Sequence, residues 1–373
     1  MKKNLLAFAV LAATLTLTSC SKKVEIKALN LQPVVYQNDG ITYTVDPKLE
    51  LLMIAMRLAD WPPFSHDSYG DQYCQYVDGI DKFFEKQKDH PFIKELKARN
   101  KKNVDNYQNL LSISNYISDD FTSLNLNPKD LPVELRGFWK NIKPKEFIAL
   151  FNDFAVSSNY DKIWMLYNAQ IKNQAVSVKE FYTVNKKVLD WFTAYFFEPS
   201  AKTEFVFSGT TVSGACNYTI SPVIDNDKII FKTIQAAYLT KDDDWNACDA
   251  AFNLSYGYIY TLIQKNWELF AKDAERINKA IVEENQITEK QTELNIRGAF
   301  VTAITYCCLF DYEYFKEDED NYTALYNSLS TNFLLPDVDK YVSIAKYYEE
   351  HRDQFPNFEA FVENYLPQIV KEL

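Results

Sequence analysis

The chain has 373 residues, 51 acidic against 40 basic, a formal charge of −11, and 47% hydrophobic residues with only 8 Gly. That is the composition of a globular chain able to bury a sizeable core, not of a disordered or low-complexity one. The acidic balance argues against nucleic-acid binding and against flat electrostatic adsorption to anionic lipid, both of which need a basic footprint.

Lys2 and Lys3 precede an apolar run from Leu5 to Leu17, which suits the core of a signal peptide and is too short for a permanent membrane span. Leu17-Thr18-Ser19-Cys20 then resembles the bacterial lipoprotein box, in which cleavage before the cysteine leaves it acylated. The expectation is a signal peptide over 1–19 and a bacterial cell-envelope protein lipid-anchored to its membrane through Cys20, with periplasmic and surface-facing placement both open. An ordinary secretory signal that ends near a cysteine is the alternative. Beyond Cys20 stand Cys74, Cys216, Cys248, Cys307 and Cys308, an odd number that cannot all pair internally. Cys307 and Cys308 lie in an apolar stretch and read as buried free thiols. No CxxC motif suggests a redox centre or a zinc knuckle.

Residues 20–40 read as a linker, 41–200 as an amino-terminal helical part, and 201–373 as a sheet followed by a carboxy-terminal helical part. A short extended segment at Ile41–Val45 leads to Pro47, which opens a helical pattern carried by Leu49, Leu52, Met56 and Ala59. Further amphipathic helices are expected over Gly70–Gln87, Asn103–Ile117 and Pro144–Phe154. Ser177-Val178-Lys179-Glu180 is a capping box whose helix should run through Trp191 to Phe197. Strand-like periodicity appears only between 203 and 235, in Thr203–Ser208 and Lys228–Ile234, with Asp225-Asn226-Asp227 as turn chemistry. Helices are expected again at about 245–271, 274–284, 289–310, 338–352 and 357–371. The run Glu317-Asp318-Glu319-Asp320 reads as a solvated loop, since it lacks the Gly and terminal Glu of a calcium loop.

With three histidines, His66, His90 and His351, none four residues from another, no helix offers the paired imidazoles of an HExxH zinc site. His351 is better read as a cation placed at a helix C-terminus. There is no GxSxG nucleophile and no Gly-rich phosphate loop. Nothing in the sequence nominates a pair among the 51 carboxylates for glycosidase chemistry.

The order of segments resembles a family of bacterial exported proteins grouped as domain of unknown function 4932. The resemblance is carried by Val45-Asp46-Pro47, Glu50-Leu51-Leu52, Arg57-Leu58-Ala59, Asp89-His90-Pro91, Phe147 with Asn152-Asp153-Phe154, and Gly214 with Asn217-Tyr218. It implies a zincin-like arrangement in which a His-Glu-x-x-His helix follows the sheet and a Glu-x-x-x-Arg helix comes after it. Phe252, Asn253 and Tyr256 fall where the family has its first His, its Glu and its second His, while Glu293 and Arg297 match the later pair. Phe252 has no lone pair, Asn253 cannot act as a general base and a neutral Tyr256 phenol is a poor ligand, so with Glu293 alone zinc would lack at least two of its three protein donors and the resemblance implies a scaffold that has lost its metal centre.

The sequence thus leads to an α+β fold, predominantly helical, with a small antiparallel or mixed sheet packed by helices in a zincin-like arrangement. No cofactor, no metal and no catalytic residue are nominated. Asn217, Tyr218, Asn253, Tyr256, Glu293 and Arg297 would line a vestigial polar cleft suited to a peptide or glycan. The bland reading makes Glu293 and Arg297 an ordinary ion pair and Tyr256 core packing. A hydrolase using Glu293, with His90 or other carboxylates, is the second reading. The third is a lipoprotein that captures carbohydrate or peptide through exposed Tyr256, Tyr258 and Tyr260.

Overall fold

The computed structural model describes residues 25–38, 41–64, 75–101, 107–125, 142–173, 175–196, 202–208, 218–225, 228–236, 243–273, 276, 296–331 and 338–372. The fold is α+β and mostly helical, as expected, around one sheet.

The sheet has five strands in the order β1-β2-β3-β5-β4. Strand β1 (Val34–Asn38) pairs antiparallel with β2 (Ile41–Val45), and β2 runs parallel to β3 (Lys202–Ser208). Strand β5 (Lys228–Ala236) runs parallel to β3 and carries β4 (Tyr218–Asp225) antiparallel on the far edge. The strand β1 lies within the expected linker, which is a correction. Val34 and Tyr36 have β-forming side chains, and Asp39-Gly40 is a hairpin signal in the sequence. The strand β4 begins at Tyr218, which the resemblance puts on a strand facing the cleft; its register shifts between Ile220 and Val223, where Pro222 lacks the N–H a regular ladder needs.

Helix α1 (Pro47–Leu58) starts where Asp46 accepts from the Lys48 N–H, with Pro47 in the first turn, and is buried on nearly every side. Inside it, Arg57 makes a two-pronged contact with Asp81 at 2.8 and 2.7 Å and donates to the Phe64 carbonyl at 2.7 Å. Asp81 belongs to α2 (Gln75–Phe84), so this pair, buried on its Arg57 side and half-buried at Asp81, fixes α2 on α1. Helices α3 (Pro91–Lys101), α4 (Tyr107–Leu111), α5 (Pro144–Ser157) and α6 (Tyr160–Asn173) complete the first half. The first core spans Leu31 to Trp164 and is dense in aromatic rings, with Phe92 meeting Phe147 at 5.3 Å and Phe151 at 5.5 Å.

The second core spans Val188 to Val370. It is built from the end of α7 (Ala175–Phe196), from α8 (Asp243–Lys265) and α9 (Ile296–Leu309), from α10 (Glu313–Lys316), α11 (Glu319–Thr331) and α12 (Val338–Glu350), and from α13 (Phe358–Asn364) and α14 (Leu366–Glu372). The change of core therefore falls inside α7, ahead of the expected boundary at 200, and Leu189 packs against both cores. The sheet joins the halves: β4 touches α4 of the first and α8 of the second.

Most expected helices stand within a few residues of their places, while α3, α6, α10 and α11 went unrecognised. The acidic run is corrected from loop to helix start: Asp318 accepts from the N–H groups of Asp320 and Asn321 at 2.9 and 3.0 Å. Glu319 and Asp320 then occupy the first turn of α11, where the helix dipole favours negative charge. The expected helix at 274–284 lies outside the described residues apart from residue 276.

Candidate functional site

The elements expected to surround a cleft do meet, because α8 packs against α9 and against β4 and β5. On α8, Phe252, Tyr256 and Tyr260 recur every four residues and share one face. Their rings stand in a row, with centroids 5.8 Å apart for Phe252 and Tyr256 and 5.9 Å for Tyr256 and Tyr260, the latter pair nearly parallel. Tyr306 of α9 extends the row against Phe252 at 4.6 Å. All four are half-buried against the second core.

Tyr256 sits in the seam between the helices, with a side-chain hydrogen bond linking its phenol to Thr302 of α9. Burial raises its pKa, so the phenol stays neutral. Of the six expected cleft residues, Tyr256 is the one whose side chain is described. Asn217 and Glu293 lie outside the described residues. Tyr218 opens β4 opposite Ile234, Asn253 follows Phe252 on α8, and Arg297 is the second residue of α9. Tyr258, expected to be exposed, is instead 3% exposed and packs edge-on against Phe192 and Phe196 at 5.4 Å each. Two residues along a helix turn a side chain by about 200°, so it cannot share the face of Tyr256 and Tyr260.

His90 is already committed. The Phe92 N–H donates to its Nδ1 at 3.1 Å, so Nε2 carries the hydrogen that bonds Asp153 Oδ2 at 3.0 Å. It thus takes the capping place of α3 and ties that helix to α5. Burial lowers its pKa against the upward pull of Asp153, which favours the neutral ring. His351 closes α12, with its Nδ1 at 2.9 Å from the Tyr347 carbonyl.

Sequence reasoning missed a second polar cluster where α7, α9 and α12 converge. The Tyr195 hydroxyl donates to Glu349 at 3.2 Å and also shares a side-chain hydrogen bond with Cys308. The Trp191 indole N–H donates to Asp311 at 3.3 Å, and Lys316 reaches the other oxygen of Asp311 at 2.7 Å. Arg352 donates to the carbonyls of Ala194 and Tyr195, while Tyr348 donates to Tyr195 O at 2.8 Å. These close the end of α7, whose last carbonyls have no partner within the helix. Burial, then the nearby Asp311 charge, raises the Glu349 carboxyl. Burial pushes the Cys307 and Cys308 thiols up as well, which keeps them protonated and unreactive. The network draws on segments more than a hundred residues apart, and no local motif signals it.

Among the described residues no group of three or more His, Cys, Asp or Glu is placed to hold a metal ion, and no helix is long and apolar enough to cross a membrane. No family model, no curated protein and no solved structure matches the chain. The resemblance noted above therefore rests on its residue correspondences. Several of those residues have architectural work: Asp46 starts α1, Arg57 holds α2, His90 starts α3, and Asn152 bonds the Lys27 backbone.

Proposed function

We propose that this chain is a lipid-anchored cell-envelope protein, held through Cys20, that binds a peptide or glycan without acting on it chemically. The observation that carries the reading is the row Phe252, Tyr256, Tyr260 and Tyr306. Its members Phe252 and Tyr256 stand where the resemblance would put the two metal-binding histidines, and the row offers flat, half-open aromatic surface instead. Rings of this kind stack on sugar faces and on peptide side chains while giving up little conformational entropy. His90, the imidazole suggested as a partner for Glu293 in the hydrolase reading, serves α3 and Asp153.

The test is a glycan and peptide array probed with the mature chain, followed by Tyr260→Ala and Tyr306→Ala. Loss of about tenfold in affinity, or about 1.4 kcal/mol, is expected for each at an aromatic platform. Stoichiometric zinc in the purified protein together with chelator-sensitive peptide hydrolysis would refute the reading.

A further inference from the structure

Strand β1 stands at the end of the sheet: it pairs with β2 on one side, and no described strand pairs with it on the other. Asn38 and Ile41 are directly paired with only Asp39-Gly40 between them in sequence, and so short a connection makes that pair exchange both of its backbone hydrogen bonds. The ladder alternates from there. Asn38, Tyr36 and Val34 aim their N–H and C=O groups at β2, which leaves the N–H and C=O groups of Val35 and Gln37 aimed outward. Among the described residues none of these outward groups has a backbone partner. Val35 is 48% exposed, so solvent reaches this edge. The entry to the strand is fixed, because the Trp164 indole N–H donates to Gln32 O at 3.0 Å.

Sheets ordinarily blunt such an edge with Lys, Pro, a bulge or an inward charge. Val34-Val35-Tyr36-Gln37-Asn38 has no charge and no Pro in a chain that is 24% charged, and its register with β2 runs without a bulge. The strand is also its own complement. Laid antiparallel beside a copy of itself with Tyr36 opposite Tyr36, it brings Val35 opposite Gln37 and Gln37 opposite Val35. Each Val35–Gln37 pair then exchanges both of its N–H···O bonds, and every outward group of both strands is satisfied. Val34 meets Asn38 at the ends, so no like charges oppose one another along the strands although the whole chain carries −11.

We propose that the β1 edge is a self-association surface, at which two copies of this chain join β1 to β1 about a two-fold axis at Tyr36 and merge their five-stranded sheets into one. Pairing of this kind uses up the β1 edge of both copies and therefore closes at a dimer, while at the opposite edge β4 packs against α4. Two short strands bury less than a standard interface, so the dimer is weak, with a dissociation constant on the order of 0.1 mM. The association depends neither on the aromatic row nor on acylation of Cys20.

The experiment uses the full-length chain, purified in mild detergent, as the variants Val35→Cys and Gln37→Cys, one of them carrying a tag that shifts its gel mobility. Opposed residues of a hydrogen-bonded pair lie about 5.5 Å apart at Cα, within disulfide range. Under mild oxidation the mixture should give a heterodimer linked from 35 to 37 at least ~5-fold above either homodimer, with the linkage read by peptide mass spectrometry and the wild type giving the background of its native cysteines. Val35→Pro removes only an outward N–H, so β1 keeps its ladder to β2. In sedimentation equilibrium at ~0.1 mM the wild type should contain dimer and Val35→Pro should be monomeric, with the same circular dichroism spectrum for both. A wild type that stays monomeric, homodimers that cross-link as fast as the mixture, or a Val35→Pro dimer would each overturn the proposal. If Val35→Pro fails to fold, the cross-linking ratio decides alone.

Discussion

Tyr195 and Glu349 lie 154 residues apart in sequence, yet the phenol donates to the carboxylate at 3.2 Å beneath the end of α7. The carboxyl pays for this position: burial first, then the nearby Asp311, raise its pKa above the ordinary 4.5. The folded state therefore binds this proton more tightly than the unfolded chain does. Its contribution is fully present below about pH 4.5 and is lost as pH rises through the raised folded value. Glu349→Gln keeps an acceptor for Tyr195 and removes the charge. At pH 7 it should match the wild type or exceed it by up to about 1 kcal/mol in urea denaturation, with the difference gone at pH 4. A loss of stability at neutral pH would show that the charge is needed.

His90 carries the opposite sign. Burial lowers its folded pKa below 6.5, so the neutral ring is the one the fold holds. Stability from this group is present above pH 6.5 and declines as pH falls through the lowered value. His90→Asn retains a capping oxygen and should abolish that acid dependence at little cost, whereas His90→Ala should cost about 1–2 kcal/mol at pH 7 and less at pH 5, where the wild type has itself lost the contribution of this group. Chemical denaturation of both variants at pH 7 and pH 5 separates the two effects.

Asn152 makes three hydrogen bonds from a fully buried side chain. Asn152→Ala strands the Lys27 and Phe121 backbone groups and should cost about 2–4 kcal/mol. Because two of the three bonds hold Lys27, limited proteolysis should show faster cleavage after Lys27 in this variant.

Neighbouring tyrosines on α8 should respond very differently to truncation. Tyr258 is 3% exposed and touches Phe192, Phe196 and Phe358, so Tyr258→Ala should cost about 3–5 kcal/mol. Tyr260 is half-buried at the edge of the core, and Tyr260→Ala should cost only about 1 kcal/mol. Thermal denaturation followed by circular dichroism distinguishes them.

The helices were legible where a cap or a clear period marked them, as at Asp46-Pro47 and in the apolar face of α5. Helix α3 was missed because its capping residue is a histidine before a proline, a pattern outside the usual Ser, Thr, Asp and Asn. Strand β1 was hidden because it ends in Gln37-Asn38 ahead of Asp39-Gly40 and so reads as loop, whereas β2, equally short, carries β-forming residues throughout; beyond Tyr218, Pro222 masks the rest of β4. The expected cleft was legible only as far as its backbone: α8, α9 and β4 do come together, but the four-residue spacing of Phe252, Tyr256 and Tyr260 builds a ring stack that a search for polar ligands overlooks. The Tyr195–Glu349–Asp311 cluster could not be read at all, since only tertiary packing brings α7, α9 and α12 together.

The parallel pairing of β2 with β3 fixes an order of events during biogenesis. Thr42 finds its partner Glu204 only after some 160 further residues have emerged, and β3 in turn needs β5 beyond it. In a chain made from its amino terminus, the β1–β2 hairpin must wait with one edge open until nearly two-thirds of the polypeptide has been synthesised. An open strand edge is a template for wrong pairing, so whatever shields that edge while the rest of the chain is made should govern the folding yield of this protein.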